Sequence, residues 1–361
     1  MGIWRRSEAE AAVVEELWKE VMRQTGSAIG NVRKPGPDCV RLKRGGGAAK
    51  EGREVCVTGG VSFVSSAIVQ RLLRRGFSVR LIVESQEEMD KLCMTDVIQH
   101  TSLRPVMAGI MDVESLCQAF DGCAGVFHTS SSLDPGGLSG YSKQMVNMEV
   151  RVVEQVIKAC VRTESVRKCV FTSSLLACTW RQSDGRRGPS VVDERCWSDE
   201  SLCRDKKLWF ALGKTMAEKA AWEAARGSNL HLVTVCPALV TGPEFHRRNS
   251  TGSIAYLKRS QEMFAEGLLA TVDLETVADA HVSVYEAAAS GRYICYDHIV
   301  QRDEEMEELE RRLGVPISLA GEMQAAGPPV LELSNRKLFR LMNSGRRCTD
   351  DVYSFLSREQ S

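Results

Sequence analysis

Residues 54–65 read Glu54-Val55-Cys56-Val57-Thr58-Gly59-Gly60-Val61-Ser62-Phe63-Val64-Ser65, a short β-branched run that breaks at glycine and passes into helical spacing. A strand that turns tightly into a helix points backbone N–H groups and a helix N-terminus at an anion, and glycine is wanted where the chain turns or touches the ligand. Gly59 supplies the turn. The next two places where T-G-x-x-G-x-x-G has glycine hold Ser62 and Ser65, whose Cβ atoms narrow the approach to a phosphate. Thr58, Gly59, Gly60, Val61, Ser62, Phe63 and Val64 are therefore either a dinucleotide-binding turn or a plain strand-to-helix turn.

Outward from this turn the rhythm repeats. Short apolar runs over 54–58, 79–83, 104–108, 125–129, 168–172 and 230–235 alternate with helical patterns near 64–75, 87–96, 114–120, 142–162 and 210–226. Such alternation is the sequence form of an α/β, doubly wound parallel sheet covered on both faces, with right-handed crossovers. Beyond Pro237 the rhythm loosens, and a helix near 275–288 is expected in a smaller C-terminal lobe. The division is 1–52, 53–243 for the dinucleotide-binding domain and 244–361 for the substrate lobe.

Lys and Arg total 47 and Asp and Glu total 47, so no net field draws the whole chain to nucleic acid or anionic lipid. No stretch is apolar for the roughly 18 residues of a membrane span. The 13 cysteines are odd in number and lie in apolar runs without C-x-x-C pairs, which reads as buried thiols of a cytoplasmic protein. No His or Cys pair has metal-ligand spacing, so no metal is expected. In residues 1–52, Val13, Val14, Leu17, Trp18 and Val21 form one helical stripe that docks on its own domain or on a protein partner, followed by a basic, glycine-rich linker.

Twenty-five residues past Gly59, Glu84 ends the second strand, where an acid binds the ribose 2′-OH of NAD and repels the 2′-phosphate of NADP. Its alternative is the start of a solvated helix. Asp112 follows the third strand on the side of an adenine, and Thr129, Ser130 and Ser131 follow the fourth on the side of a nicotinamide ribose; both sets also suit ordinary helix caps. His128 and His281 read as packed side chains rather than bases or ligands.

Phe171-Thr172-Ser173-Ser174 ends the fifth strand, and Trp209-Phe210-Ala211-Leu212-Gly213-Lys214 opens a long helix. Together with Gly122-Cys123, Val126-Phe127-His128, Lys214 to Trp222, Pro237 to Pro243, Ala280-His281 and Ser290 to Tyr293, these blocks make residues 54 to 345 resemble the extended short-chain dehydrogenases. Within them the chain resembles the cinnamoyl-CoA reductase and dihydroflavonol reductase group. Cys196-Trp197-Ser198-Asp199 and the altered glycine turn look most like a plant cinnamoyl-CoA reductase-like subgroup, some of which are associated with defence.

The resemblance implies NADP(H) as cofactor, with NAD(H) open because Glu84 stands where the family has a basic residue. It also implies a phenolic or CoA-thioester substrate, and contacts to the cofactor from Val113 and from Pro237, Ala238, Leu239 and Val240. It further implies a Ser, Tyr and Lys active site. Lys214 matches the lysine, and Ser174, before Ser173, the serine. The tyrosine position holds Phe210, which neither donates a proton nor hydrogen-bonds an oxygen. Reduction of a thioester or aldehyde with Ser174 and Lys214 as the remaining donors is one expectation. The other is a fold that keeps its ligand, loses turnover and acts through a partner.

Overall fold

The computed structural model describes residues 53–93, 100–129, 141–181, 190–243, 255–313 and 331–343. β1 (Glu54–Val57) leads through the glycine turn into α1 (Phe63–Arg74), followed by β2 (Ser78–Val83), α2 (Gln86–Cys93), β3 (Leu103–Met107), α3 (Val113–Phe120) and β4 (Gly125–His128). Next come α4 (Lys143–Arg162), β5 (Lys168–Thr172), α5 (Leu176–Thr179), β6 (Ser190–Val192), α6 (Glu200–Asp205), α7 (Trp209–Ala225) and β7 (His231–Pro237). The remainder is β8 (Leu239–Thr241), α8 (Ser260–Glu266), β9 (Ala270–Asp273), α9 (Leu274–Glu286), β10 (Gly291–Cys295), β11 (His298–Ile299), α10 (Asp303–Leu313), β12 (Leu331–Leu333) and α11 (Arg336–Asn343).

Seven parallel strands form the main sheet in the order β10-β7-β5-β4-β1-β2-β3. The six strands read from the sequence are all present. The seventh, β10, comes from the stretch assigned to the C-terminal lobe and extends the sheet beyond β7. Its apolar run is interrupted by Arg292, whose buried guanidinium disguises the strand in sequence. β3 lies at the opposite edge, where Pro105 withholds an N–H from no further neighbour. β8, β9 and β11 make a small three-stranded sheet, and β6 pairs with β12.

Alternation along each strand divides the core into two layers. Val55 and Val57 of β1 pack with Ile68 and Leu72 of α1 and Val277 of α9, while Cys56 packs with Leu116 of α3, Val153 and Ile157 of α4 and Ala221 of α7. Because helices cover both faces, Val55, Cys56 and Val57 are all fully buried, which explains an unbroken apolar run. α1 is tied to α9 by Arg71, which donates to Asp279 at 2.5 Å and to Glu275 at 2.6 Å.

The chain runs outward through β2 and β3 on one side of β1 and returns to β4 on the other. The strand order therefore reverses between β1 and β4, and the carboxyl ends of that pair border the crevice in which doubly wound sheets bind ligands. Among the described residues no helix is long and apolar enough to cross a membrane.

The start of β4 is closely overlaid by α9. A Cβ on Gly125 would stand 2.3 Å from Tyr285 Cε2, and the Tyr285 ring is itself held against Phe127 at 5.0 Å. Gly125→Ala is expected to destabilise the fold by about 1–3 kcal/mol through overpacking, read as a lower urea midpoint; an unchanged midpoint would show that the ring moves without cost.

Candidate active site at the strand-order reversal

The glycine turn is built without further glycines. Gly59 (φ +94°) and Gly60 (φ +52°) take the left-handed conformations that turn β1 toward α1. Ser62 caps α1, its side chain accepting from Ser65 N–H at 3.4 Å, and the buried Ser65 hydroxyl donates to the Gly60 carbonyl. Ser65 spends its hydroxyl hydrogen inside the turn, whereas Ser62 serves there as an acceptor. The arrangement of a left-handed glycine pair before the α1 N-terminus fits a dinucleotide phosphate, and the serines brace it. Phe63 is buried beneath the turn and Val61 and Val64 are half-buried.

Across the reversal, Thr129 donates its hydroxyl to the Thr58 carbonyl at 2.7 Å, and Thr58 Oγ1 is hydrogen-bonded to His128 Nδ1 at 2.7 Å. His128 is fully buried and stacked on Phe171, with ring centroids 5.4 Å apart. Burial, and next the charge of Lys214, hold its imidazole down to about 3, so it is neutral and packs as the sequence suggests. His281 is likewise buried, bonded to Thr172 at 2.8 Å and held down to about 4 by burial.

The acids after β2 and β3 divide differently from their sequence positions. Glu84 turns toward β3, where its carboxylate accepts from Ile110 N–H at 3.3 Å; burial raises its pKa. Asp112 caps α3, accepting from Glu114 N–H at 3.0 Å and Ser115 N–H at 3.3 Å, with Val113 as the first helical residue. Arg80 is held at the other end of β2 by Glu54 at 2.7 Å and by the carbonyls of Ala119 and Asp121.

α7 carries the centre of the site. Lys214 and Phe210 are one turn apart, so both face the same side, and the Lys214 ammonium lies 5.5 Å from the Phe210 ring centroid. The lysine side chain is 6% exposed and pairs at 2.6 Å with Glu149 of α4, itself 2% exposed. Tyr141, just before α4, donates its hydroxyl to the second Glu149 oxygen and to the Met145 carbonyl at 3.3 Å. Burial and the Glu149 charge push this phenol far above its usual range. Its ring meets Phe210 edge-on at 5.1 Å. Residue 213 must be glycine, because a Cβ there would stand 2.3 Å from the Tyr141 hydroxyl oxygen.

The two serines after β5 separate cleanly. Ser173 donates to Glu218 at 2.6 Å and belongs to the scaffold. Ser174, nine-tenths buried, accepts from Leu176 N–H at 3.2 Å, leaving its own hydroxyl hydrogen for another acceptor. Glu218, one turn beyond Lys214, is saturated by Arg292 at 2.7 and 3.0 Å and by Thr234 at 2.6 Å. The Arg292 guanidinium stacks on Trp197 at 3.6 Å, and Ser198 donates to the Leu176 carbonyl at 2.7 Å. The block from Cys196 to Asp199 therefore braces the α5 turn behind Ser174. Pro237 ends β7 and accepts from Leu175 N–H at 2.8 Å; Ala238 N–H bonds to Cys295, and Leu239 and Val240 enter β8.

Ser130, Ser131 and the whole of 1–52 lie outside the described residues. Lys258 donates to the Lys207 carbonyl at 2.7 Å. Sequence reasoning gave no role to Glu149, Glu218 or Arg292. A signal existed for Glu149: it occupies the buried stripe Met145, Val146, Val152, Val153 and Val156 of α4, where a carboxylate demands a partner. Among the described residues no cluster of side chains could hold a metal ion.

A buried ion pair broken at one end leaves an unpaired charge, at a cost of about 3–5 kcal/mol, whereas replacing both ends with apolar residues is near neutral. Glu149→Met and Lys214→Met are each expected to lower stability by that amount, with the double variant far less destabilised than their sum. Additive losses in urea unfolding would contradict the pairing.

Residues 56–292 match the 3-beta hydroxysteroid dehydrogenase/isomerase family. The chain is 37% identical over 268 residues to cinnamoyl-CoA reductase 1 of Petunia hybrida, covering 72% of this chain and 77% of that protein, and 33% identical over 260 residues to the bifunctional dihydroflavonol 4-reductase/flavanone 4-reductase of Malus domestica, covering 69% and 73%. Among solved structures, vestitone reductase from alfalfa superposes with TM-score 0.60 at 26% identity, over 80% of this chain and 91% of that one. Yeast Gre2 complexed with NADPH, at 19% identity and TM-score 0.64, shares the fold. A reversal-point crevice, a braced glycine turn and a buried lysine on α7 thus occur in a chain that belongs to the 3-beta hydroxysteroid dehydrogenase/isomerase family of extended short-chain reductases, alongside the cinnamoyl-CoA reductases.

Proposed function

We propose that the protein is a NAD(P)H-dependent reductase of the cinnamoyl-CoA reductase kind, acting on a phenylpropanoid CoA thioester or aldehyde. The observation that carries this reading is Lys214, kept at the motif position on α7 and furnished with a buried counter-ion although Phe210 replaces the tyrosine. A nicotinamide dinucleotide bound in the crevice supplies hydride. Lys214 and Ser174 then act as hydrogen-bond donors to the oxygen that becomes negative. Loss of a general acid or of one such donor costs about 10²–10⁴ in rate.

A thioester tolerates this loss better than an aldehyde or ketone. Its tetrahedral oxyanion collapses and expels thiolate, which takes a proton elsewhere, whereas alcohol formation needs the proton on oxygen. We therefore favour the thioester. A place in defence-related phenolic metabolism accompanies this reading through the Cys196 to Asp199 resemblance, and cytoplasmic location through the scattered cysteines of apolar runs.

Phe210 also favours a second reading, in which the fold retains a dinucleotide or phenolic ligand without turnover and acts through a protein partner at the N-terminal stripe. Single-turnover oxidation of NADPH and of NADH with a hydroxycinnamoyl-CoA at high enzyme concentration separates the two. Hydride transfer above the rate without enzyme is expected. Dinucleotide binding without transfer, unrelieved by Phe210→Tyr, would replace the reductase with the ligand-binding protein.

A further inference from the structure

The proposed dinucleotide site has two acids beside it, and their side chains take different directions. In doubly wound folds the adenosine ribose lies between the glycine turn after the first strand and the end of the second, where a carboxylate accepts its 2′-OH. Glu84 has the expected position in sequence, yet its carboxylate is turned to Ile110 N–H on the β3 side. Glu88, one turn along α2, reaches back instead. It accepts from Glu84 N–H at 2.8 Å, and both of its oxygens stand 2.9 Å from where a Cβ on Gly60 would be.

We propose that Glu88, rather than Glu84, is the residue that reads the 2′ position of the adenosine ribose. The inference rests on the reading of this crevice as a nicotinamide dinucleotide site. Glu88 is anchored to the end of β2 and overlies the turn after β1, so it spans the two elements between which the ribose sits. Gly60 provides the room: its left-handed backbone and lack of Cβ let the carboxylate lie against the turn. The carboxylate accepts from an unmodified ribose hydroxyl and repels a phosphate there. Arg80, the base on the same strand, is engaged with Glu54 and the carbonyls of Ala119 and Asp121 at the opposite end of β2.

Glu88 is half-buried in a short helix and is given no part in the proposed reaction at Lys214, so its replacement tests recognition rather than chemistry. Dissociation constants for NADH and NADPH are measured by fluorescence titration for the full chain and for Glu88→Gln, Glu88→Ala and Glu84→Gln. The parent is expected to bind NADH at least as tightly as NADPH. Both Glu88 variants should shift the ratio toward NADPH by about tenfold, the size expected for removing one like charge a few ångströms away in a partly wet site. Glu84→Gln should shift it by less than about threefold.

An equal or larger shift in Glu84→Gln, or no shift in either Glu88 variant, overturns the assignment while leaving a dinucleotide site in place. A parent that binds NADPH clearly more tightly than NADH also overturns it. Failure of every form to bind either dinucleotide overturns the reductase reading, and this assignment falls with it.

Discussion

The Lys214–Glu149 ion pair is the constraint around which the site is arranged. An ammonium buried to this degree is costly to desolvate unless a counter-charge and hydrogen bonds compensate it. Glu149 reaches it only because α4 and α7 pack closely, and the carboxylate is completed by Tyr141, whose hydroxyl fits because residue 213 has no side chain. Phe210 then fills the space between the phenol ring and the lysine with an apolar ring. On the proposed reductase reading, a buried ammonium without a neighbouring phenol as proton donor favours a thioester over an alcohol-forming reaction.

A second buried pair fixes the scaffold behind it. Glu218 and Arg292 join α7 to β10, and through Ser173, Trp197 and the carbonyl of Glu194 they hold the turns that follow β5 and β6. Two ion pairs therefore stand one turn apart on α7: Glu218 is saturated and structural, whereas Lys214 is paired with Glu149 of α4. The same economy operates at the glycine turn, where Ser62 and Ser65 close the loop with their own hydroxyls and leave Gly60 bare beneath Glu88.

The β-branched runs around Val55 to Val57 and Cys169 to Phe171 made the parallel sheet legible, because strands buried on both faces must be continuously apolar. β10 was hidden by Arg292, a charge whose partner lies 74 residues earlier. Lys214 and Ser174 were singled out through the resemblance of their blocks to a known family. The contacts of Glu149 and Glu88 were not legible, since they depend on which element each side chain reaches: Glu149 across two helices, Glu88 back over a turn 28 residues before it. Glu84 stands at the expected spacing, and its carboxylate accepts from Ile110 N–H.

The most direct measurement of the central claim is single-turnover hydride transfer by Lys214→Met/Glu149→Met, the variant that removes the ammonium without leaving an unpaired buried charge. With dinucleotide binding retained, the account predicts a rate at least about 10²-fold below the parent, the usual loss on removing a donor from a developing oxyanion. A double variant that binds the dinucleotide and transfers hydride at the parental rate would contradict it, and would move the chemistry away from Lys214.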